Sequence, residues 1–476
     1  MACCALPIPL RPASKMTPTD STRLAIRGDL LDFIAAPAWG VIDVVGDDSA
    51  ARFRPDHWLL VEAGRIVGAQ PAAQPLDASW QRHDHAGRLL LPGFIDTHVH
   101  SPQIDVIASH GAALLDWLTD HTFPAELRHA DPAHAHAAAA HFLDALLAHG
   151  STSAVVYPTV HKVSADALFA AASQRGMRLI AGKVLMDRHA PAGLLDDAAD
   201  AGVAQRECTE LIERWHGHGR LSYAVTVRFA PTSSPAQLAM AGALCAAHPG
   251  VYLQTHVAEN RDEVRWVREL FPAARSYLDV YAQAGLLNAR SVLAHGIWLD
   301  DTDRAVLRDA GSQIAHCPSS NLFLGSGLFD WRQAEAAGVA VSLGSDVGGG
   351  TSLSMQRTIA DACKVQALLG QRLTAWTALH AATRGAAEAL GLSHEIGSFD
   401  AGCTADVCVW DWALGPVATR RMEVAQGLHE RVFAWMTLSD DRNLAALYVA
   451  GAKRLIAPSP LTGEGRDGGE SAAVSR

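Results

Sequence analysis

The stretch Leu91-Pro-Gly-Phe-Ile-Asp-Thr-His-Val-His100 decides the fold of this chain and carries its first chemically informative side chains. Its last seven residues alternate as a β-strand does, so His98 and His100 point to the same side of the strand. A third imidazole follows at His256 and a carboxylate at Asp346. Three nitrogens and one oxygen suit Zn²⁺ or Fe²⁺ with one position left open for water. The pattern therefore predicts a catalytic metal site rather than a closed structural one.

The motif His-x-His occurs in three further places, and each has an ordinary structural explanation. The three pairs are His83 and His85, His134 and His136, and His216 and His218. The first precedes an apolar run outside the periodic part of the chain, and the third lies in a Gly-rich turn. The second lies in an Ala-rich predicted helix, where residues two positions apart diverge by about 200° and cannot chelate one ion. Only the pair at 98 and 100 ends an apolar strand.

Composition predicts a large globular chain. With 476 residues, 49% of them hydrophobic and 19% charged, the chain suits a large barrel with a smaller attached unit. A net charge of −11 without a long basic run argues against a nucleic acid polymer as partner. No apolar stretch approaches the ~20 residues of a membrane span, so we expect no membrane partner.

The cysteines and the two ends of the chain predict where the protein works. The eight cysteines are scattered without a Cys-x-x-Cys motif, which is typical of reduced thiols in a cytoplasmic protein. Residues 1–21 are too short and too rich in proline for a signal peptide and predict a flexible extension, with either Met1 or Met16 as the start. Residues 456–476 are rich in Gly, Ser and Pro and predict a disordered tail.

The middle of the chain, residues 92–396, alternates short apolar strands with helical segments. Eight such units within about 300 residues predict a TIM-like (β/α)₈ barrel, an α/β fold whose catalytic groups lie at the carboxyl ends of the strands. Residues 22–91 and 397–455 are β-rich and predict one small discontinuous β-sandwich domain built from both ends of the chain. The predicted barrel strands end at His100, Tyr157, Met186, Phe229, His256, His295, His316 and Asp346.

Two further strand-end residues are candidates for moving a proton, which a metal by itself does not do. Glu259 follows His256 by three residues, a spacing that lets its carboxylate reach a water over the metal. His295, at the next strand end, is the second candidate. For His316 two interpretations stay open, since it can line the pocket or cap its strand. The fourth strand end carries Arg228 rather than a bridging lysine or glutamate, so the sequence predicts one metal ion per chain.

Several longer motifs stand out along the chain. They are Pro92-Gly-Phe-Ile-Asp-Thr-His-Val-His-Ser-Pro-Gln103, Asp116-Trp-Leu, His121-Thr-Phe-Pro-Ala-Glu126, Val227-Arg-Phe-Ala-Pro-Thr232, His316-Cys-Pro-Ser-Ser-Asn-Leu-Phe-Leu-Gly-Ser-Gly-Leu-Phe329, Ser345-Asp-Val-Gly-Gly-Gly-Thr-Ser-Leu-Ser-Met355 and Met436-Thr-Leu-Ser-Asp-Asp-Arg442. These motifs resemble those of the amidohydrolase superfamily and, within it, of the guanine deaminases. The resemblance runs from about residue 22 to 455, and the run beginning at Asn321 is its most specific part. Val227 and Ala258 depart from the family pattern without displacing a functional residue.

The resemblance implies a role for each residue that matches the family's motifs. It implies one Zn²⁺ per chain, with Fe²⁺ as the alternative ion, and proton transfer by Glu259 and His295 beside Asp346. The substrate would be guanine, the product xanthine, and the assembly a homodimer. The implied metal ligands are His98, His100, His256 and Asp346, and the implied substrate-binding residues are Gln103, Arg228, Phe229, His256 and Asp346.

The chemistry of the side chains agrees with the implied substrate. Arg228 can donate to the guanine carbonyl, a group that adenine lacks, and Gln103 offers both a donor and an acceptor to the mixed edge of the ring. Phe229 can stack on the purine or offer its backbone, and core packing is an equally good interpretation. Alternatives remain a deaminase or hydrolase acting on cytosine, an s-triazine or a modified purine, and a non-catalytic relative. The cytidine-deaminase type of zinc site is excluded because the chain has no Pro-Cys-x-x-Cys.

Overall fold

A computed structural model describes residues 23–39, 48–110, 114–196 and 201–454 of the chain. The predicted N-terminal extension and C-terminal tail, with Met1, Met16, Cys3 and Cys4, lie outside these residues. In the described part, no helix is both long enough and apolar enough to cross a membrane. The strands are β1 Arg23–Phe33, β2 Ala51–Glu62, β3 Arg65–Pro71, β4 Gln81–Pro92, β5 Phe94–His100, β6 Ser151–Tyr157, β7 Arg178–Ala181, β8 Val184–Leu185, β9 Leu221–Val227, β10 Tyr252–Val257, β11 Ser291–His295, β12 Gln313–His316, β13 Ala340–Leu343, β14 Val407–Trp410, β15 Leu444–Val449 and β16 Ala452–Arg454.

The α-helices lie mostly between the strands of the middle region. They are α1 Leu114–Trp117, α2 Phe123–Leu127, α3 Pro132–Ala148, α4 Lys162–Arg175, α5 Ala201–Trp215, α6 Pro235–Ala247, α7 Arg261–Leu270, α8 Tyr277–Gln283, α9 Asp301–Ala310, α10 Pro318–Phe323, α11 Trp331–Ala336, α12 Met355–Leu368, α13 Ala375–Ala381, α14 Arg384–Ala389, α15 Gly415–Val424 and α16 Leu428–Leu438. Helix α3 begins as its sequence predicts, with Asp131 accepting from the Ala133 amide and proline at the first turn.

The middle of the chain forms the predicted (β/α)₈ barrel. In the described residues its parallel strands follow the order β5-β6-β7-β9-β10-β11-β12-β13, with the short β8 paired to β9. Strands β5, β6, β9 and β11 are buried along their whole length, as a parallel sheet covered by helices on its outer face requires. The barrel therefore brings the carboxyl ends of these strands to one rim.

The third barrel strand differs from its prediction. The sequence predicts a strand running to Met186, but β7 ends at Ala181 and the chain resumes pairing only in β8. Gly182 lies so close to the neighbouring strand that an added Cβ would come within 1.8 Å of the Ala224 carbonyl oxygen. The next residue, Lys183, is buried and forms an ion pair with Asp196. The strand breaks because this lysine leaves the ladder to reach its carboxylate partner.

The first and last barrel strands close the barrel through side chains and loop backbone. The Thr97 hydroxyl donates to the Leu343 carbonyl at 2.9 Å, and the Asp346 amide donates to the His98 carbonyl at 2.9 Å. Gly344 makes this approach possible, since an added Cβ would lie 2.7 Å from the Cβ of His98. Closure therefore places two predicted metal ligands from opposite ends of the domain side by side.

Helix α14 covers the opposite end of the barrel. Its Ala386 and Ala387 pack in one buried cluster with one residue from each of seven barrel strands. The amide of Ile95, at the start of β5, donates to the Ala382 carbonyl at 3.0 Å, just before this helix. A packed core therefore separates the carboxyl-end rim of the barrel from the end that α14 covers.

The two ends of the chain form the predicted composite β unit. In the part of the chain that the structure describes, it is one mixed sheet with the order β16-β15-β14-β4-β1-β2-β3. Side chains from both chain ends pack in a common core, for example Ile26 and Leu59 with Val407 and Tyr448. This confirms a discontinuous β domain, while the predicted boundaries at residues 91 and 397 stay predictions.

Candidate active site

The structure brings the four predicted metal ligands together in space. The Nε2 atom of His100 lies 3.3 Å from Nε2 of His98 and 3.1 Å from Nε2 of His256. Oδ1 of Asp346 lies 3.2 Å from His98 Nε2 and 3.4 Å from His100 Nε2. One potential ligand atom from each of the four residues thus falls within 4.8 Å of every other. Such convergence of buried lone pairs suits a cation.

The protonation states fit the same conclusion. Burial lowers the pKa of His100 to about 3 and also lowers the pKa values of His98 and His256, so all three imidazoles are neutral near pH 7. Burial alone would raise the pKa of Asp346, but the neighbouring His98 and His100 hold it well below its ordinary value. Neutral imidazoles and an ionised carboxylate are the forms that bind a divalent metal.

A hydrogen bond to the protein backbone fixes the orientation of the His256 ring. Its Nδ1 atom lies 2.6 Å from the backbone carbonyl oxygen of Arg228, to which it can only donate. This bond leaves the lone pair of Nε2 directed toward His100 and the centre of the cluster. A carbonyl behind a metal-binding histidine is the usual support of such a ligand.

Three strand ends turn sharply to present the functional side chains. Ala258, His295 and Asp346 have positive φ angles of 48°, 73° and 49°, a region that residues other than glycine seldom adopt. Backbone strain of this kind concentrates at functional sites, where the surrounding structure maintains it. The turn at Ala258 places Glu259 inward, so this departure from the family pattern leaves the carboxylate within the site.

The two predicted proton-transfer residues lie next to each other. Oε2 of Glu259 is 3.4 Å from Nε2 of His295, and that nitrogen is 3.8 Å from Oδ2 of Asp346. The Ser326 hydroxyl donates to Oε1 of Glu259 at 3.0 Å, and Nδ1 of His295 lies 2.9 Å from Oδ1 of Asn321. Burial, and then the Asp346 charge, raises the pKa of Glu259 to about 8. Glu259 can therefore gain and release a proton near neutral pH.

Glu263 holds the loop that carries Glu259. Its Oε2 accepts from the amides of Glu259 at 2.9 Å and Asn260 at 3.1 Å, while the Tyr277 hydroxyl donates to its Oε1 at 2.5 Å. Glu263 is also the third residue of helix α7, in a capping box with Asn260. The sequence analysis did not identify this residue, although Asn followed three positions later by Glu is a recognisable helix-start pattern.

A cavity opens beside the four ligands. The predicted substrate-binding residues Gln103, Arg228 and Phe229 all line it. Oε1 of Gln103 accepts from the Gly348 amide at 3.2 Å, so its amide NH₂ group is left for another partner. The other lining residues are His100, Leu114, Trp117, Leu118, His256, Glu259, Glu263, His295, Leu324, Asp346 and Gly349.

The covering segment, residues 114–127, lies over this cavity. It consists of α1, a π-helical turn at Leu118–Thr122 and α2, and it contributes Leu114, Trp117 and Leu118 to the cavity wall. π-Helical turns occur often at functional sites. Near its end, Glu126 accepts a hydrogen bond from Arg228 at 2.7 Å. The sequence analysis quoted this glutamate within a motif but gave it no role.

His316 lies outside the cavity wall. Its ring packs against Phe329, with ring centroids 4.9 Å apart, and against Trp331, at 5.9 Å. Burial lowers its pKa to about 3, so it is a neutral core side chain at the end of its strand. Of the two interpretations left open for His316, pocket lining is therefore not supported.

A second group of ligand atoms overlaps the first. His98, His295, Cys317 and Asp346 also offer atoms within 4.8 Å of one another. Burial raises the pKa of the Cys317 thiol well above its ordinary value, whereas a metal requires the thiolate. The first group, with its three neutral imidazoles, is therefore the better cation site.

The family model described as "Amidohydrolase family" matches residues 89–453 of the chain. This match covers the whole barrel and the sheet strands that follow it. The chain therefore belongs to the amidohydrolase family.

Within this family the chain is similar to enzymes named as guanine deaminases. It is 44% identical to the guanine deaminase of Escherichia coli strain K12 over 406 residues, which are 85% of this chain and 92% of that protein. It is 43% identical to a probable guanine deaminase of Deinococcus radiodurans over 372 residues, 78% of this chain and 81% of the other. The solved structure of E. coli guanine deaminase superposes with a TM-score of 0.85 at 41% identity, covering 91% of this chain and 99% of that one.

Proposed function

We propose that this protein is a guanine deaminase, which hydrolyses guanine to xanthine and ammonia. The observation that carries the proposal is one cavity lined by Gln103, Arg228 and three members of the four-residue ligand cluster, His100, His256 and Asp346. The names of relatives at 44% and 43% identity support the same reaction. All the side chains that the reaction needs are present, which argues against a non-catalytic relative.

His98, His100, His256 and Asp346 would hold one Zn²⁺, or Fe²⁺, per chain. The donor set of three neutral imidazoles and one carboxylate is the observation that fits this ion. When bound, such an ion supplies Lewis acidity and lowers the pKa of a water in its open position. Asp346 also lies 3.8 Å from His295, so it links the ligand set to the proton-transfer pair.

Arg228 and Gln103 orient the base. A buried guanidinium left without a carbonyl partner is costly, so Arg228 favours a purine that carries a carbonyl over adenine. The amide NH₂ of Gln103 can donate to an acceptor on the purine ring. Phe229, whose ring makes an edge contact with Trp266 at 6.2 Å, borders the same space. Together these residues place the carbon that bears the exocyclic amine toward the metal ligands.

Glu259 moves the protons of the reaction. It accepts a proton from the attacking water and delivers it to the ring nitrogen. In the second half it accepts the proton of the newly added hydroxyl and delivers it to the exocyclic amine, which leaves as ammonia. Its pKa of about 8 allows both directions of transfer near neutral pH. His295, whose Nε2 lies 3.4 Å from Glu259 and whose Nδ1 is held by Asn321, is positioned beside the carboxylate that moves the proton.

The proposal is tested by following ultraviolet absorbance after adding guanine, adenine, cytosine or an s-triazine to the zinc-loaded protein. We expect rapid conversion of guanine to xanthine with release of one ammonia, and turnover of the other compounds at least about 10³-fold slower, as hydrogen-bond discrimination permits. Preferential turnover of another compound would assign that activity instead. Absence of guanine turnover in protein shown to contain metal would refute the proposal.

A further inference from the structure

The Arg228 guanidinium forms a buried ion pair that the implied binding role does not include. Its Nη1 atom donates to both carboxylate oxygens of Glu126, at 2.7 Å and 2.8 Å. The side chain of Arg228 is 4% exposed and that of Glu126 is 0% exposed. At such burial a lone arginine or a lone carboxylate would be strongly unfavourable, so each requires the other.

One end of the guanidinium is therefore occupied and the other end is available. Nη1 donates to the two oxygens of Glu126, and in the described part of the chain no hydrogen bond from Nε or Nη2 to a protein acceptor is found. The ring of Phe123, 5.5 Å from the guanidinium carbon, covers its face. Because Arg228 also lines the cavity, the remaining N–H groups are the ones that a ligand can meet.

Glu126 reaches Arg228 from the covering segment rather than from the barrel. Arg228 follows strand β9, whereas Glu126 lies 102 positions earlier in the chain, in α2. The same segment places Trp117 and Leu118 against the cavity. The ion pair consequently joins the wall over the cavity to the residue that faces the base.

We propose that Glu126 is a positioning residue that determines specificity for a purine carbonyl. It fixes the rotation of the guanidinium so that the free N–H groups face the carbonyl. This inference rests on the proposed function. It assigns Glu126 an effect on ligand choice, which a residue serving only stability would not have.

The test compares two ligands that differ in whether they carry the ring carbonyl. Hypoxanthine carries the ring carbonyl without the exocyclic amine, and purine carries neither, so both bind without deamination. In the metal-loaded Glu126→Gln protein we expect the Kd for hypoxanthine to rise about 10- to 100-fold, as for a lost hydrogen bond to a charged group. The Kd for purine should change less than about twofold. With guanine, the increase should appear in KM more than in kcat.

Three further variants distinguish positioning of Arg228 from a general effect on the fold. Glu126→Asp keeps the charge but shortens the side chain, so it should fold and show a smaller shift in the same ligand-selective direction. Glu395→Gln makes the same chemical change in an ion pair with Arg220 outside the cavity, and it should leave both Kd values unchanged. The double variant Glu126→Gln/Arg228→Ala should distinguish hypoxanthine from purine as well as Arg228→Ala alone does, because the two residues act together.

Equal weakening of hypoxanthine and purine, or lower thermal stability with unchanged Kd ratios, would overturn the inference. The failure of the proposed function is distinguishable, because it appears as absence of guanine turnover in the unsubstituted protein. The ratio of the two Kd values measures the positioning effect independently of turnover.

Discussion

The backbone carbonyl of Arg228 accepts a hydrogen bond from Nδ1 of His256 at 2.6 Å. The same carbonyl also accepts from the His256 amide at 3.2 Å. One residue thus supports a proposed metal ligand with its backbone and faces the cavity with its side chain. The proposed metal site and the proposed base site are joined at this residue, but through different atoms.

Arg228 supports His256 with its backbone and faces the cavity with its side chain, so Arg228→Ala should affect only the second role. The substitution keeps the carbonyl that orients His256, so metal content should stay at one ion per chain. It removes the donor to the guanine carbonyl, so kcat/KM for guanine should fall by at least about 10²-fold. Metal analysis and steady-state kinetics measure the two effects. Arg188→Ala, which removes a half-buried arginine outside the cavity wall, is the control. Unchanged kcat/KM would remove Arg228 from the base-binding residues.

Glu259→Gln tests proton transfer. Glutamine keeps the size of the side chain and can still accept from Ser326, but it cannot carry a proton. We expect one bound metal ion and a kcat lowered by at least the ~10²–10⁴-fold typical of losing a general acid–base. A larger loss is consistent with one group serving both transfers. Loss of the metal would instead identify Glu259 as a ligand, and activity within about tenfold of the parent would assign the transfer to His295.

The sequence was sufficient to predict the barrel and the convergence of the four candidate metal ligands, because both depend on local periodicity. Alternation over residues 94–100 places His98 and His100 on one side, and a parallel barrel necessarily gathers its strand ends at one rim. His256 and Asp346 could therefore be assigned to the same site although 90 residues separate them in the sequence. No knowledge of the loops was needed for this step.

The supporting residues could not be predicted in the same way because their partners are distant in the sequence. From the sequence alone, a lone glutamate in a helix, such as Glu126, is expected to be exposed to solvent. Its role becomes visible only with its partner, 102 residues away. Lys183 likewise fits a continuing strand, and only its buried carboxylate partner Asp196 explains the break. These residues are identified by tertiary contacts rather than by spacing.

The raised pKa of Glu259 predicts a pH-dependent difference in stability. Burial raises this pKa from 4.5 to about 8, so the protonated carboxyl favours the folded state below about pH 4.5, and this contribution is lost as pH rises to about 8. In metal-free protein, Glu259→Gln should therefore become more stable than the parent as pH increases over this range. For each pH unit in that interval, the free energy of unfolding of the parent should fall, relative to the variant, by at most about 1.4 kcal/mol.

Urea unfolding of both proteins at about pH 5, 6.5 and 8 measures this difference. Glu213→Gln changes an exposed carboxylate and should give a constant difference from the parent over the same range. A constant difference for Glu259→Gln as well would show that its carboxyl titrates alike in the folded and unfolded states.

The metal content of two variants distinguishes which of the two overlapping ligand groups binds the ion. If the ion is bound by the group containing His256, then His256→Ala should lose most of the metal after dialysis, and Cys317→Ala should keep one ion per chain. Both substitutions remove one potential ligand atom, so each serves as the control for the other. Metal retained by the His256 variant and lost by the Cys317 variant would assign the site to the second group. Two tightly bound ions in the parent protein would contradict the mononuclear prediction.

Asn321 is expected to act through His295, because its Oδ1 lies 2.9 Å from Nδ1 of that histidine. An amide oxygen can only accept, so it holds a proton on Nδ1 and keeps the ring oriented with Nε2 toward Glu259 and Asp346. Asn321→Ala frees the imidazole to rotate and to change tautomer. We expect kcat to fall about 10- to 100-fold, as for other partners that orient a functional histidine, with metal content unchanged. Ser320→Ala, which removes the neighbouring hydroxyl in α10, should keep kcat within about twofold.

The decisive measurement for Asn321 is the double variant with His295→Ala. If Asn321 serves only to orient His295, then its substitution has no further effect once the imidazole is gone, and the double variant should be as active as His295→Ala alone. If the fold-decreases in kcat of the two single variants multiply in the double variant, Asn321 acts by another route. In that case the amide would contribute to the cavity directly, since its Nδ2 is buried and has no hydrogen-bond partner in the described part of the chain.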